Sequence, residues 1–500
     1  MLARVNSFVL IGIDAIICEV EADVSQRGLS KVTLVGLPQA AVKESIERVR
    51  RSLINSGYAF PSHAVAINLA PADVKKEGPS LDLPIAIGVL RAMEFIQGDF
   101  AKDFLIAGEL ALDGRLRKIR GGLPLALLAK ERRFRGVILP EENAREAAVV
   151  EGIEVYPFAR LSEAAAFLNG RLPRAPYELD GQPYQLSQFT SHLDFADVRG
   201  QEAVKRALTI AGAGSHNVLM VGPPGTGKTM LAQRLPGILP PLNRAEALET
   251  TRIYSAMGLL PEGVALMDQR PVRTPHHSAT AQALVGGGTV PRPGEVSLAQ
   301  HGILFLDEFP EFSRYVLETL RQPLENGEVT VARVHGSVKF PARFMLVAAM
   351  NPTASGYASN DGRARDKYLA KLSGPLVDRI DIHVEVPTVP YRELTGKTRG
   401  TDSTTMRASV QAARDVQRKR FGEGKTNGTM DSRDLKAHCD LSESCLLLMR
   451  QAMDELGLSA RAYDKVRRVA RTIADMEGAA AISENHLAEA VQYRLLDREF

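Results

Sequence analysis

Eight consecutive residues that follow an apolar segment have the composition of a phosphate-binding loop. They are Gly222, Pro223, Pro224, Gly225, Thr226, Gly227, Lys228 and Thr229. The glycines let the backbone turn so that successive N–H groups converge on phosphates. In such loops the lysine, here Lys228, reaches the β- and γ-phosphates, and the hydroxyl, here Thr229, ligates Mg²⁺. The sequence therefore predicts a site for ATP and Mg²⁺.

Two adjacent carboxylates, Asp307 and Glu308, end a second apolar segment, Ile303 to Leu306. Charges at the end of a buried strand need a reason. Asp307 is suited to hold Mg²⁺, and Glu308 to polarise the water that attacks the γ-phosphate. A pair of acids is common by itself, so this assignment depends on the phosphate loop.

A third apolar segment, Phe344 to Ala349, leads into Asn351, and Arg379 follows in a stretch that contains several acids. Asn351 could orient the attacking water if its strand neighbours the acidic one, although asparagine before proline is also a routine turn signal. Arg379 is flanked by Asp378 and Asp381. It is therefore either an ion-pair partner or an arginine finger, a cation presented to phosphate across a subunit boundary.

Basic residues surround a predicted β-hairpin between the acidic segment and Asn351. Val329 to Val334 and Ser337 to Phe340 alternate around a tight turn at His335 and Gly336. The candidates for contact with DNA are Arg333, His335, Lys339 and Arg343. Such side chains would bind phosphates without distinguishing bases, but an ordinary solvated hairpin has the same pattern.

Two further polar segments support weaker inferences. Arg273 to Gly288, which contains the pair His276 and His277, is predicted to be a pore loop rather than a metal site. The reasons are that adjacent side chains diverge and that no other ligand is close in sequence. Arg392 to Lys425 is basic, and charge runs of this kind are usually solvated helix faces. This segment adds weak support for a DNA partner.

The scaffold that must position these residues is predicted to be multidomain and of α/β class, since 500 residues give a soft expectation of three domains. The predicted parts are an α/β domain over residues 1–170, a linker over 171–192, an ATPase core over 193–390, a basic connecting segment over 391–430 and a helical lid over 431–500. Predicted strands include Ala15 to Val24, Lys31 to Val35, His63 to Leu69, Phe104 to Ala107, Val137 to Leu139, Asn217 to Val221, Gly302 to Leu306 and Phe344 to Ala349. Predicted helices include Pro38 to Ile54, with the proline in the first turn, and Leu81 to Met93.

Composition excludes several classes of protein. The 62 Lys+Arg and 59 Asp+Glu residues leave a net charge of +3, and 45% of residues are hydrophobic, as in ordinary globular chains. The cysteines Cys18, Cys439 and Cys445 are too scattered for a disulfide framework, which favours a cytoplasmic location. No apolar stretch approaches the roughly 18 residues of a membrane helix. The run Phe8 to Cys18 is split by Asp14, so we predict a buried strand there rather than a signal peptide.

Together these motifs resemble the AAA+ ATPases related to magnesium chelatase, and within them the ComM/YifB branch, over essentially the whole chain. The resemblance is carried by the phosphate loop, the acidic pair, the run Arg-Thr-Pro-His-His-Ser-Ala-Thr at 273–280, the glycines at 286–288 and the stretch from Ser373 to Asp381. It implies that Asn351 is the first sensor, Arg379 the trans-acting finger and Arg461 the second sensor on the lid. It also implies a ring, usually a hexamer, because a finger in trans needs a neighbour. Relatives often carry a cysteine cluster after the first sensor; residues 351–372 contain none, so no metal site is expected there.

Residues 1–170 resemble the ribosomal-S5-like fold of the proteolytic domain of Lon. The segment Gly78 to Ser80 resembles the one that carries its nucleophilic serine. The family supplies the activating lysine from a Gly-Gly-x-Lys segment, whereas Gly121 to Pro124 has proline at that place. Lys118 and Lys130 do not match the position. We therefore expect a domain without proteolytic activity, kept for structure or for contact with a partner.

The sequence thus predicts an ATP-driven ring motor that acts on single-stranded or branched DNA as a helicase or branch-migration factor. The resemblance adds a role in natural transformation or recombination. The alternatives are a motor subunit of a metal-chelatase-like complex, an ATP-dependent Lon-like protease, and an ATP-switched scaffold that binds without moving.

Overall fold

The computed structural model describes residues 2–25, 31–98, 100–179, 193–333, 336–353, 368–395 and 400–494. Most of the predicted linker, residues 180–192, lies outside the described residues. The chain forms two compact units. The first contains the described residues up to 179 together with 247–267 and 290–292, and the second contains 193–246, 268–289 and those from 293 onward. The domain boundaries given above stay a prediction.

The first unit is built on a four-stranded sheet and a three-stranded parallel sheet. The four-stranded sheet has the order Leu2–Ile11, Asp14–Val24, Val65–Ala70 and Val32–Val35. The parallel sheet contains Phe104–Ile106, Gly136–Pro140 and Glu154–Phe158, and a two-stranded ribbon contains Glu109–Leu110 and Leu116–Arg117. The helices are Ala40–Asn55, Asp82–Ala92, Gly122–Glu131, Ala144–Ala147, Leu161–Leu168 and Arg244–Met257, the last of which belongs mainly to this unit.

Two sequence predictions for this unit were wrong in detail. Residues 8–18 are not one strand but the two arms of a hairpin with a tight turn, where Gly12 has φ +67°. A positive φ is readily available only to glycine, and apolar residues on both sides of the turn hid it. The predicted helix at residue 38 begins at Ala40 instead, because Pro38 forms a β-bridge with Lys76.

The second unit contains a five-stranded parallel sheet. Its order is Val272–Arg273, Ile303–Leu306, Met345–Met350, Val218–Val221 and Ile382–Glu385. The remaining strands are Gly286–Gly287, Glu328–Arg333, Gly336–Pro341 and Arg292–Pro293, of which Arg292 is counted with the first unit. The helices are Glu202–Gly214, Lys228–Arg234, Ala281–Val285, Glu295–Leu298, Arg314–Glu318, Arg321–Asn326, Gly374–Val377, Tyr391–Thr395, Ser403–Phe421, Ser432–His438, Glu443–Leu456, Ala460–Met476 and Glu484–Gln492. The predicted fold class, an α/β core with a C-terminal helical region, is confirmed; the Lon-like character of residues 1–170 stays a prediction.

The C-terminal helices and the parallel sheet share one hydrophobic core. Val218 and Val347 of the sheet belong to the same buried cluster as Val410, Val466 and Ile473 of the helices. The helical region is therefore packed on the sheet of its own unit. No helix in the described ranges combines the length and the apolar character needed to cross a bilayer.

The predicted solvated face in residues 392–425 was wrong for two of its arginines. Arg414 is partly buried against helix Glu202–Gly214, donates to the Gly212 carbonyl at 2.8 Å, and has its pKa lowered to about 9 by desolvation. Arg420 forms hydrogen bonds of 2.6 and 2.8 Å with the buried carboxylate of Asp475. Both arginines therefore bind groups within the protein, and they give no support for a DNA contact.

Candidate nucleotide site

The carboxyl edge of the parallel sheet brings the motif residues together. Strand Met345–Met350 lies between the strand that precedes the phosphate loop and the strand that precedes Asp307. Parallel strands end at the same edge of a sheet, so Asn351, which directly follows the middle strand, lies between the phosphate loop and Asp307. Its Oδ1 accepts a hydrogen bond of 3.2 Å from Nζ of Lys228. The strand order thus places the amide beside the loop, as the proposed first sensor requires.

The phosphate loop depends on glycine at three positions. Gly225 and Gly227 have φ values of +79° and +88°, which side chains other than glycine rarely adopt. A Cβ on Gly222 would lie 2.2 Å from the carbonyl oxygen of Val386. Larger residues are therefore excluded from the turn and from this close backbone contact.

Lys228 is held over its own loop. Its Nζ donates to the carbonyls of Gly222 and Pro223 at 2.7 and 2.8 Å. Burial lowers the pKa of Lys228, and the charge of Asp307 opposes that shift. A buried ammonium whose hydrogen-bond partners are uncharged carbonyl and amide oxygens is suited to bind an incoming phosphate.

Thr229 and Asp307 form the oxygen pair predicted to hold Mg²⁺. The Thr229 hydroxyl donates to Oδ2 of Asp307 at 2.8 Å, and Oδ1 of Asp307 accepts from the backbone N–H of Glu308 at 2.9 Å. A hydroxyl and a carboxylate are hard oxygen ligands of the kind that Mg²⁺ prefers. The two side chains therefore fit the ion that the sequence predicts.

Glu308 has an unusual backbone and a partner that sequence reasoning missed. Its φ of +49° and ψ of +46° place it in the left-handed region, which is strained for a residue with a side chain. Oε2 of Glu308 lies 3.2 Å from Nδ1 of His277, whose ring stacks on His276 with centroids 4.0 Å apart. The strand Val272–Arg273 pairs with the acidic strand, which brings the histidines that follow it near Glu308. The pore-loop role of this segment stays a prediction.

Arg379 and Arg461 both face one carboxylate, Glu325. Nη2 of Arg379 donates to Oε2 of Glu325 at 2.8 Å, and Nη2 of Arg461 lies 4.0 Å from Oε1. The acids beside Arg379 have other partners: Asp378 accepts from Ser459 and Asp381 from Lys465. The ion-pair partner of Arg379 is thus a residue distant in sequence, which no local motif indicated.

The predicted hairpin is present, with strands Glu328–Arg333 and Gly336–Pro341 in antiparallel register. Its buried face carries Val329, Val331 and Phe340. Lys339 is on the exposed face and donates to Glu328 at 2.6 Å. The remaining DNA-contact candidates are placed as follows: Arg343 is exposed beyond the end of the second strand, the side chain of Arg333 is not described, and His335 lies outside the described residues.

Ser80, the predicted counterpart of the nucleophilic serine, lies in a turn before helix Asp82–Ala92. The nearest carboxylate in sequence, Asp82, is buried and bound by Arg48 at 2.7 Å. Pro124, which stands where the resemblance expects the activating lysine, is buried in the first turn of helix Gly122–Glu131. Lys118 donates to the carbonyl of Leu260 at 3.4 Å.

We therefore expect Ser80→Ala to leave ATP hydrolysis unchanged and to remove no peptidase activity. The physical reason is that a serine hydroxyl without a base is a weak nucleophile. The measurement is ATPase and casein cleavage with ATP, in the wild type and the variant. An ATP-dependent cleavage that disappears in Ser80→Ala would contradict this expectation.

Comparison with known proteins places the chain among relatives of one kind. Three family models match it: "Subunit ChlI of Mg-chelatase" over residues 20–143, "Magnesium chelatase, subunit ChlI" over 194–394 and "Magnesium chelatase, subunit ChlI C-terminal" over 400–494. The chain is 44% identical to the competence protein ComM of Haemophilus influenzae, over 99% of this chain and 98% of that protein. It is 43% identical to the protein YifB of Escherichia coli, with the same coverage. Identity to the 38 kDa subunit of magnesium chelatase from Rhodobacter capsulatus is 25%, over 61% of this chain and 87% of that protein.

Proposed function

This chain belongs to the ComM/YifB family of magnesium-chelatase-like AAA+ proteins, and from that premise we propose that its ATP hydrolysis drives a ring motor acting on DNA. Membership in this family supports the assignment of the chain as an ATPase-type enzyme. For the family generally it also implies the use of ATP and Mg²⁺. The observation that carries the proposal is the convergence of Lys228, Thr229, Asp307 and Asn351 at one edge of the sheet.

The contacts of these residues support one proposed role for each. Lys228 exchanges its two carbonyl partners for phosphate oxygens when ATP enters the loop. Thr229 and Asp307 would hold Mg²⁺, which would neutralise charge on the phosphates. Asn351 orients the attacking water, and Glu308 accepts its proton once the carboxylate leaves His277.

Assembly into a ring, of the hexameric kind usual for the family, is part of the proposal because Arg379 is its trans-acting finger. Exposure supports a surface position for Arg461, which is 59% exposed, and for the Glu325 carboxylate that faces both arginines, which is 55% exposed, whereas the Arg379 side chain behind them is 10% exposed. A charge presented to a neighbour's nucleotide must lie near the surface of its own chain. Arg461 is proposed as the second sensor.

DNA is proposed as the substrate because a 44% identical relative is named a competence protein and because the hairpin exposes Lys339. Uptake and recombination of DNA in natural transformation is the proposed setting, and the cytoplasm the proposed location. The test is a strand-displacement and branch-migration assay with ATP on forked and four-way DNA. ATP turnover that neither responds to DNA nor moves a strand would remove the motor from this proposal.

A second candidate, the motor subunit of a chelatase complex, is favoured by the three ChlI models. Such a subunit would need partners that bind a porphyrin and its metal. ATPase stimulated by those partners and unaffected by DNA would select this candidate. A Lon-like protease is opposed by Pro124, which has no proton-accepting side chain.

Substitutions in the hairpin test the DNA contact, because some should weaken DNA binding and one should strengthen it. We expect Arg333→Ala combined with Lys339→Ala to keep DNA-free ATPase, to lose DNA stimulation, and to lower the slope of log affinity against log salt by about 1 per lost phosphate contact. Glu328→Gln removes the partner of Lys339 and should tighten DNA binding by freeing that ammonium. The measurement is fluorescence anisotropy with labelled single strands over a salt series. Equal affinity of all three proteins would move the DNA contact away from the hairpin.

A further inference from the structure

We propose that Glu325 is a positioning residue that sets the orientation of the Arg379 guanidinium and keeps Arg461 beside it. The inference rests on the proposed function, since it assumes that Arg379 acts in ATP hydrolysis. Glu325 lies near the C-terminal end of helix Arg321–Asn326, far in sequence from both arginines. It belongs to none of the motifs by which the site was found.

The two oxygens of this carboxylate are divided between the two arginines. Oε2 accepts from Arg379 at 2.8 Å, while Oε1 faces Arg461 at 4.0 Å. The hydrogen bond from Arg379, with the charges of Arg379 and Arg461, holds the pKa of Glu325 below its usual range. An ionised carboxylate therefore lies between two cations that would otherwise repel each other.

The backbone at Arg379 is fixed independently of Glu325. The carbonyl oxygen of Arg379 accepts from Nδ2 of Asn217 at 3.2 Å, and Asn217 also binds the start of strand Met345–Met350 through its Oδ1. Two residues further on, Asp381 accepts from Lys465 at 2.7 Å in a buried pair. Burial alone would raise the pKa of Asp381, but the Lys465 charge keeps it well below its usual range. These contacts fix the backbone at Arg379 but not the orientation of its side chain.

Few contacts hold that side chain. It is only 10% exposed, and its Nη1 donates to the Pro375 carbonyl at 2.5 Å. Its Nε is buried and has no hydrogen-bond partner in the part of the chain that the structure describes. Glu325 supplies the one negative charge hydrogen-bonded to the guanidinium there. Without Glu325, the planar group is held by a single carbonyl and can turn about its long stem.

The expected consequence is a loss of turnover rather than of nucleotide binding. A catalytic group displaced by about 1 Å can cost on the order of 100-fold in rate. We expect Glu325→Ala to lower kcat for ATP by at least about 10-fold, with KM changed by less than about 2-fold. Glu325→Gln, which keeps an acceptor for Arg379 but no charge, should recover part of the loss.

The experiment measures steady-state ATPase of Glu325→Ala, Glu325→Gln, Arg379→Ala and the pair Glu325→Ala with Arg379→Ala. The control is Asp415→Ala, which breaks an exposed ion pair with Arg418 that, at 2.6 Å, is shorter than the 2.8 Å pair of Glu325 with Arg379, and which should leave kcat unchanged. The double variant should be no slower than Arg379→Ala alone, because a positioning residue acts only through the group that it positions. Thermal unfolding of each protein verifies that it is folded.

Three results would overturn the inference. If Glu325→Ala turns over ATP at or above the wild-type rate while Arg379→Ala is inactive, Glu325 does not position the finger, and the proposed function stands. If Glu325→Ala slows ATPase further when Arg379 is already absent, its effect is general and structural. If Arg379→Ala itself keeps normal turnover, the finger role in the proposed function fails, and the positioning role fails with it.

Discussion

Glu308→Gln is expected to bind ATP with near-normal affinity and to hydrolyse it at least about 100-fold more slowly than the wild type. The amide keeps the size of the carboxylate but cannot accept the proton of the attacking water, and general-base catalysis contributes about 10²–10⁴-fold. Lys228→Ala, in contrast, should lose nucleotide binding, because its ammonium is the cation held over the phosphate loop. Binding of a fluorescent ATP analogue and single-turnover hydrolysis separate the two effects.

The control for Glu308 is Glu311→Gln. This change removes a neighbouring carboxylate that pairs with Lys371 at 3.0 Å and has no role in the proposed chemistry. Its turnover should stay near that of the wild type. Near-normal turnover in Glu308→Gln would remove Glu308 from the role of general base, whatever happens in Lys228→Ala.

Arg379→Ala is expected to assemble and to bind ATP, yet to lose hydrolysis by at least about 10³-fold, the range measured for arginine fingers. The missing charge acts on the transition state, so ground-state binding should be little affected. ATPase rate, nucleotide affinity and particle mass measured on the same preparation test the three parts of this expectation. Arg418→Ala, which removes an exposed arginine paired with Asp415, should behave as the wild type.

Mixing variants tests whether Arg379 acts across a subunit boundary. Arg379→Ala subunits retain an intact phosphate loop, and Lys228→Ala subunits retain the finger. In a random equal mixture, about one quarter of the interfaces combine a working loop with a working finger, so ATPase should recover to about a quarter of the wild-type rate. No recovery, with both variants folded and assembled, would assign Arg379 a role within its own chain.

Local sequence sufficed for features whose residues are contiguous. The phosphate loop was found because its eight residues are adjacent and their backbone geometry requires glycine, which Gly225 and Gly227 satisfy with positive φ. Three of the five strands of the parallel sheet were predicted within one residue, because strands in a covered parallel sheet are continuous apolar runs, as at Ile303–Leu306. The other two, Val272–Arg273 and Ile382–Glu385, were not predicted. The order of the strands in the sheet could not be predicted from the sequence. The position of Asn351 beside Lys228 depends on that order, so the sequence predicted it only on the assumption that the two strands are neighbours.

The environment of each charge was decided by the tertiary structure alone. Arg414 and Arg420 were indistinguishable in sequence from the exposed Arg418, yet packing of their helix partly buries both and gives them hydrogen-bond partners within the fold. Glu325, which binds Arg379, lies in no motif, and the motif that contains His277 did not indicate its contact with Glu308. The physical reason is that periodicity and backbone conformation depend on residues adjacent in sequence. An ion pair, in contrast, forms between any two side chains that folding brings together. Sequence therefore determined the chemical groups and the strands and helices that carry them, and the fold determined which charges face each other.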